Sequence, residues 1–177
     1  MREGNVQRYT RIARLLHWGI AALVIANILI GIVHEPLGEV FSGSMGIHKA
    51  IGITVLALTV VRIGWRLSHP APPLPLAMPA WERGAAHVLH LVFYAVLLIL
   101  PVTGWIMVSA GERPLTWFWL FDIPKLAVTK GDALVTASRA AHGTLGLVFG
   151  ALALLHIAAA LRHHFVLRDG VLRRMLG

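Results

Sequence analysis

Ten histidines and no cysteine occur in this 177-residue chain, and the spacing of the histidines is its most chemically informative feature. His142 and His156 stand 14 residues apart in one apolar stretch. On a helix they would differ by about 40° in direction and about 21 Å along the axis, which puts them on one face at two depths. Ionisable side chains inside apolar spans are costly and mark functional positions, and neutral imidazole is a common metal ligand. One helix would therefore offer a ligand to each of two centres. His48 opens a second apolar stretch at the level of His142, whereas His34 falls in a turn where solvent can satisfy it. For the level of His156 the candidates are His17, one helical turn after Arg14, and His87 and His90, which follow Arg83. The pair His17 and His156 is preferred because His87 and His90 lie closer to the water boundary. A lone intramembrane histidine is equally well explained as a neutral ring bonded to a carbonyl, so the argument rests on the set.

Two axial imidazoles leave a haem iron no open position, which suits electron transfer better than oxygen binding. The expected cofactors are two haems b, with His17, His48, His142 and His156 on the irons. Without cysteine the chain can form no disulfide, no thiolate site and no C-x-x-C-H haem attachment. Zinc would need about four donors at one point, and histidines split between two levels would make two undersupplied sites. Gly19, Gly46, Gly52, Gly143, Gly146 and Gly150 could let a flat macrocycle approach, and they are equally what close helix packing uses.

The positioning elements follow from the apolar runs. Hydrophobic residues make up 57% of the chain and charged ones 14%, a membrane composition. Residues 15–33, 47–67, 85–109 and 138–165 are each long enough to cross a hydrocarbon core of about 30 Å. Nothing alternates as a barrel strand would, so the expected fold is an all-α, four-helix integral membrane bundle, one domain over 1–177. The first apolar run is too long for a signal-peptide core and reads as a retained helix. Residues 34–46 form a turn, and a linker with five prolines separates the second and third spans. Trp117, Phe118, Trp119 and Phe121 in the longest loop suit an amphipathic segment at the interface. Eleven of the 16 Lys and Arg, from Arg2 to Arg174, flank the termini and the proline linker, which by the positive-inside rule puts both termini in the cytoplasm. The net charge of +8 is spread between apolar runs and forms no nucleic-acid patch.

Four stretches carry a resemblance: R-L-L-H-W at 14–18, I-H-K-A-I-G at 47–52, A-H-V-L-H-L at 86–91, and the His142 to His156 spacing, with H-H-F-V-L-R-D-G from His163. In order and spacing, over essentially the whole chain, they resemble the bacterial cytochrome b-561 family. The resemblance implies a dihaem protein of the bacterial inner membrane, with His17 and His156 on the cytoplasmic-side haem and His48 and His142 on the periplasmic-side haem. It also implies ubiquinone as a redox partner and, for the superoxide-oxidase branch, periplasmic superoxide as the donor.

On this reading an electron enters at the His48/His142 haem, passes to the His17/His156 haem and leaves on a quinone. Lys49 and Arg139 adjoin the outer ligands and could attract an anion, or pair with haem propionates or lipid headgroups. His163 follows His156 by seven residues, about 20° away in direction and about 10 Å nearer the cytoplasm, where it could protonate a quinone. His90 and His87 are further quinone candidates, and water or a propionate could equally satisfy any of the three. Two rivals stand: a cytochrome b subunit passing electrons from a redox protein donor, a hydrogenase or another dehydrogenase, to quinone, and a non-redox proton or metal carrier using histidine relays.

Overall fold

The computed structural model describes residues 8–75 and 78–176. Arg2, counted above in the charge asymmetry, lies outside them. Four long helices dominate: α1 (Arg11–Ile32), α3 (Ser44–Ser68), α4 (Ala80–Ser109) and α5 (Ala133–Arg162). Each is long and apolar enough to cross a membrane, the last running on as a candidate span to Leu167. All four start before the residues expected from hydropathy alone, because polar boundary turns continue the helix after the apolar run stops. The start of α1 is set by Thr10, whose side chain accepts a hydrogen bond from the Ala13 N–H. Pro79 precedes the first turn of α4, where a missing N–H costs nothing.

The helices pack in chain order, α1 on α3, α3 on α4 and α4 on α5, while α1 and α5 touch only sparsely. Large apolar side chains such as Leu147, Leu154 and Leu155 point outward, as a lipid-facing surface requires. Inside, Ile20, Val24, Ile51, Val55, Val96, Leu97 and Phe149 form one apolar layer. Phe149 lies seven residues from both His142 and His156, so this layer separates the two histidine levels. The Tyr9 N–H donates to the Arg174 carbonyl and the Trp18 indole to the Met175 carbonyl, which ties both chain ends together at one end of the bundle.

Two connections differ from expectation. Residues 34–40 of the expected turn form a short helix, α2 (His34–Val40). The aromatic loop, expected as an amphipathic segment at the interface, is built as a β-hairpin, β1 (Leu115–Trp117) paired antiparallel with β2 (Phe121–Ile123). Its three-residue connection, 118–120, places Phe118 and Trp119 at φ 46° and 61°, a left-handed conformation usually left to Gly or Asn. Packing compensates the strain. The Trp117 indole donates to the Thr54 hydroxyl on α3 at 3.0 Å, and Phe118 packs against the apolar layer.

Candidate functional site

The structure brings four of the predicted histidines together in two pairs. His48 on α3 faces His142 on α5 with ring centroids 6.1 Å apart and planes at 75°. At the level of the chain ends, His17 on α1 faces His156 on α5 at 6.4 Å and 76°. An iron held by two imidazole nitrogens at about 2 Å each, with each ring centre about 1.1 Å behind its nitrogen, sets the centroids about 6 Å apart. Both spacings fit a metal seated between the rings, and neither allows a direct hydrogen bond along that line.

The pair at the hairpin end is clamped by one local device used twice. The Nδ1 of His48 bonds to the Asn27 carbonyl on α1 at 3.1 Å, and a Cβ on Gly31, four residues on, would stand 3.1 Å from the His48 Cε1. The Nδ1 of His142 bonds to the Leu100 carbonyl on α4 at 3.0 Å, and a Cβ on Gly104, again four residues on, would stand 3.0 Å from the His142 Cε1. In each notch the carbonyl accepts the Nδ1 proton and the missing Cβ admits the ring. That fixes the tautomer whose Nε2 lone pair is free for a metal. The Thr103 hydroxyl adds a contact to His142 Nδ1 at 3.2 Å.

These rings open on a cavity of about 520 Å³, lined mainly by apolar side chains with Lys49 and Arg139 among them. Gly52, Gly143 and Gly146 also line it. A Cβ on Gly143 or Gly146 would meet no protein atom within 4 Å, so these two leave room for a flat ligand. The remaining glycines of the sequence reading separate by role. Gly46 lies under the Trp119 ring, Gly150 packs on Ile28, and Gly19 meets nothing. Lys49 lies within electrostatic reach of Arg113 and Lys125, which makes this mouth cationic.

The second pair is held differently. The His156 ring meets the edge of Phe93 at 5.4 Å and of His90 at 5.8 Å. His90 therefore meets the pair from α4, as a third ring beside His156. Arg62 on α3 lies within electrostatic reach of all three rings; its Nε donates to the Tyr94 hydroxyl at 3.2 Å. On α1, Arg14 keeps buried Nε and Nη1 atoms with no hydrogen-bond partner among the described residues. Neither arginine forms a salt bridge among the described residues. Uncompensated cations beside two facing imidazoles are what the carboxylates of a haem would neutralise. The residues fit the group at both levels.

His163 begins a single π-helical turn, His163–Leu167, at the end of α5. Its Nδ1 lies 2.5 Å from Asp169 Oδ2, and its Nε2 lies 4.0 Å from Glu82 Oε2. His87 bonds the Arg83 carbonyl of its own helix and, among the described residues, makes no ring contact with either pair. Sequence reasoning passed over Gly31, Gly104, Arg62, Tyr94, Glu82 and Asp169. The clamp could have been found in sequence only as a small residue four positions after a carbonyl, which is no signal without the fold. Arg62 did carry one, a charge inside an apolar run.

Residues 8–177 match the model of the family described as prokaryotic cytochrome b561. The cytochrome b561 homolog 2 of Escherichia coli is 32% identical over 97% of this chain and 92% of its own. The probable superoxide oxidase CybB of Yersinia pestis is 33% identical over 73% of both chains. The cytochrome b562 of Cereibacter sphaeroides is 29% identical over 95% of this chain and 94% of its own. With four candidate membrane helices and a family match over nearly its whole length, the chain belongs to the prokaryotic cytochrome b561 family, as a bacterial multi-pass membrane protein of electron transfer that uses b-type haem.

Proposed function

We propose that this protein is a superoxide:ubiquinone oxidoreductase of the bacterial inner membrane that holds two haems b, one between His48 and His142 and the other between His17 and His156. The observation that carries this reading is the pair of facing imidazole couples at two levels of one bundle, with α5 contributing to both. Both termini lie in the cytoplasm, which makes the hairpin end periplasmic. Bound haem supplies a one-electron iron couple at each level. The protein's own residues do the rest. The Asn27 and Leu100 carbonyls orient the outer ligands, and Arg14 and Arg62 offer charge to the inner group. The apolar layer around Phe149 keeps water from the space between the two levels.

Superoxide as the donor is supported by the cationic mouth around Lys49 and Arg139 and by the name of the Yersinia pestis relative. Ubiquinone as the acceptor is supported by His163 and its carboxylate neighbours at the end of the bundle where His17 and His156 lie. The test is to purify the protein with haem supplied and add an enzymatic superoxide generator in the presence of dioxygen. Haem reduction that superoxide dismutase abolishes, followed by reoxidation with ubiquinone, is the expected result. Haem that ubiquinol reduces but superoxide does not would move the donor to a partner protein.

A further inference from the structure

At the terminal end of the bundle three ionisable side chains from separate segments converge. Glu82 sits in the first turn of α4, His163 starts the π-helical turn after α5, and Asp169 lies in the tail beyond it. The side chains of His163 and Glu82 are each 12% exposed and that of Asp169 21%, so all three are largely withdrawn from solvent. Asp169 Oδ2 accepts from His163 Nδ1 at 2.5 Å, while its Oδ1 accepts from the Val171 N–H at 3.1 Å, which fixes the carboxylate. The His163 Nε2 is thereby turned toward Glu82.

Glu82 is held on one side only. Its Oε1 receives Arg162 Nη1 at 3.4 Å. Its Oε2 is buried with no hydrogen-bond partner among the described residues and stands 4.0 Å from His163 Nε2. That gap is too long for a direct hydrogen bond, but one oxygen atom at about 2.8 Å from each group bridges it. The other charged neighbours are engaged elsewhere: Arg83 donates to the Met78 carbonyl and Arg168 to the Phe165 carbonyl. A π-bulge in a helix is uncommon and is frequently found at functional sites. Here it ends α5 so that His163 and Asp169, six residues apart, can meet.

We propose that Glu82, His163 and Asp169 form the proton-delivery site for quinone reduction, an inference that rests on the quinone reading above. Reducing a quinone to its quinol takes two electrons, which bound haem delivers singly, and two protons, one for each carbonyl oxygen. The protonated His163 Nε2 gives a proton to a quinone oxygen, the N–H bond breaking as the O–H bond forms. Glu82 takes a proton from water at the helix boundary and returns it to Nε2 through the bridging oxygen position. Asp169 is a positioning residue: it keeps the proton on Nδ1 and balances the charge of the imidazolium. A second transfer, after the quinone ring has turned its other oxygen to the reprotonated Nε2, completes one quinol.

The test uses the haem-loaded full chain, chemically reduced and mixed with a water-soluble short-chain ubiquinone, comparing wild type with Glu82→Gln and Asp169→Asn. Ferricyanide, which accepts an electron without a proton, serves as the parallel oxidant. The proposal expects both variants to keep haem and to react with ferricyanide as wild type does. It expects their reoxidation by ubiquinone to slow at least tenfold at saturating quinone, with added acetate rescuing Glu82→Gln but not Asp169→Asn. Wild-type rates with ubiquinone in both variants would overturn it, as would a loss confined to KM. If Glu82→Gln does not fold, Asp169→Asn and its solvent isotope effect decide the matter alone. If wild type itself is not oxidised by ubiquinone, the quinone reading fails first and takes this site with it.

Discussion

Replacing Gly104 by alanine would place a methyl carbon 3.0 Å from the Cε1 and 3.4 Å from the Nδ1 of His142. Carbon atoms in contact normally lie about 3.5–4.0 Å apart, so the ring must retreat by roughly 0.5 Å. A retreat in that direction pulls Nδ1 from the Leu100 carbonyl, 3.0 Å away in the native notch. Overpacking of this kind costs about 1–3 kcal/mol. An alanine in place of a helix-interior glycine returns about 1 kcal/mol. The bundle should therefore fold with a net loss of at most about 2 kcal/mol, while the imidazole leaves its place opposite His48. Losing an orienting contact behind a metal ligand typically lowers affinity by about 10–100-fold. The assay is pyridine-haemochrome quantification per chain together with the reduced-minus-oxidised spectrum. Gly64→Ala serves as control, since a Cβ there meets nothing within 4 Å. The expected result is loss of haem from the hairpin-end site alone, with Gly64→Ala unchanged. Full occupancy with an unaltered spectrum in Gly104→Ala would refute the clamp.

Three further outcomes follow from named contacts. Arg62→Gln removes the cation shared by His17, His90 and His156 and should lower the midpoint potential of one haem by about 59 mV, a tenfold change for a one-electron couple; a redox titration that finds both potentials unmoved contradicts it. Trp117→Phe deletes the bond to Thr54, whose hydroxyl keeps its own bond to the Ala50 carbonyl, and should loosen the hairpin by about 0.5–1.5 kcal/mol, read as faster proteolysis or amide exchange at 115–123. Asp132, at the start of α5, is held below the ordinary carboxylate value of 3.8 by hydrogen bonds from the Thr129 N–H and hydroxyl. Its depressed value means that this tether is complete above 3.8 and is lost as pH falls through the lower native value, so exchange at the Thr129 amide should rise only in that acid range.

The four spans and the two histidine levels were legible in sequence because hydrocarbon thickness and helical pitch are both fixed lengths. Fourteen residues between His142 and His156 can only mean one face and two levels. Helix starts were read late, since polar turns such as the one before Leu15 continue a helix past the point where hydropathy stops reporting it. The hairpin was not legible: a left-handed turn built from Phe118 and Trp119 contradicts local preference and exists because Thr54 and the apolar layer receive its aromatic rings. The Gly31 and Gly104 notches were equally hidden, because each needs a histidine from a different helix to give the glycine its meaning. Glu82 fell outside the third span expected from hydropathy, and only the earlier start of α4, with α5 and the tail, places it beside His163 and Asp169.

The account stands or falls on haem stoichiometry measured against single-ligand variants. Wild type purified with haem supplied should hold two haems b per chain; His48→Ala should lose one and His17→Ala the other, with distinguishable spectra. One haem per chain in wild type, or the same haem lost from both variants, would contradict it.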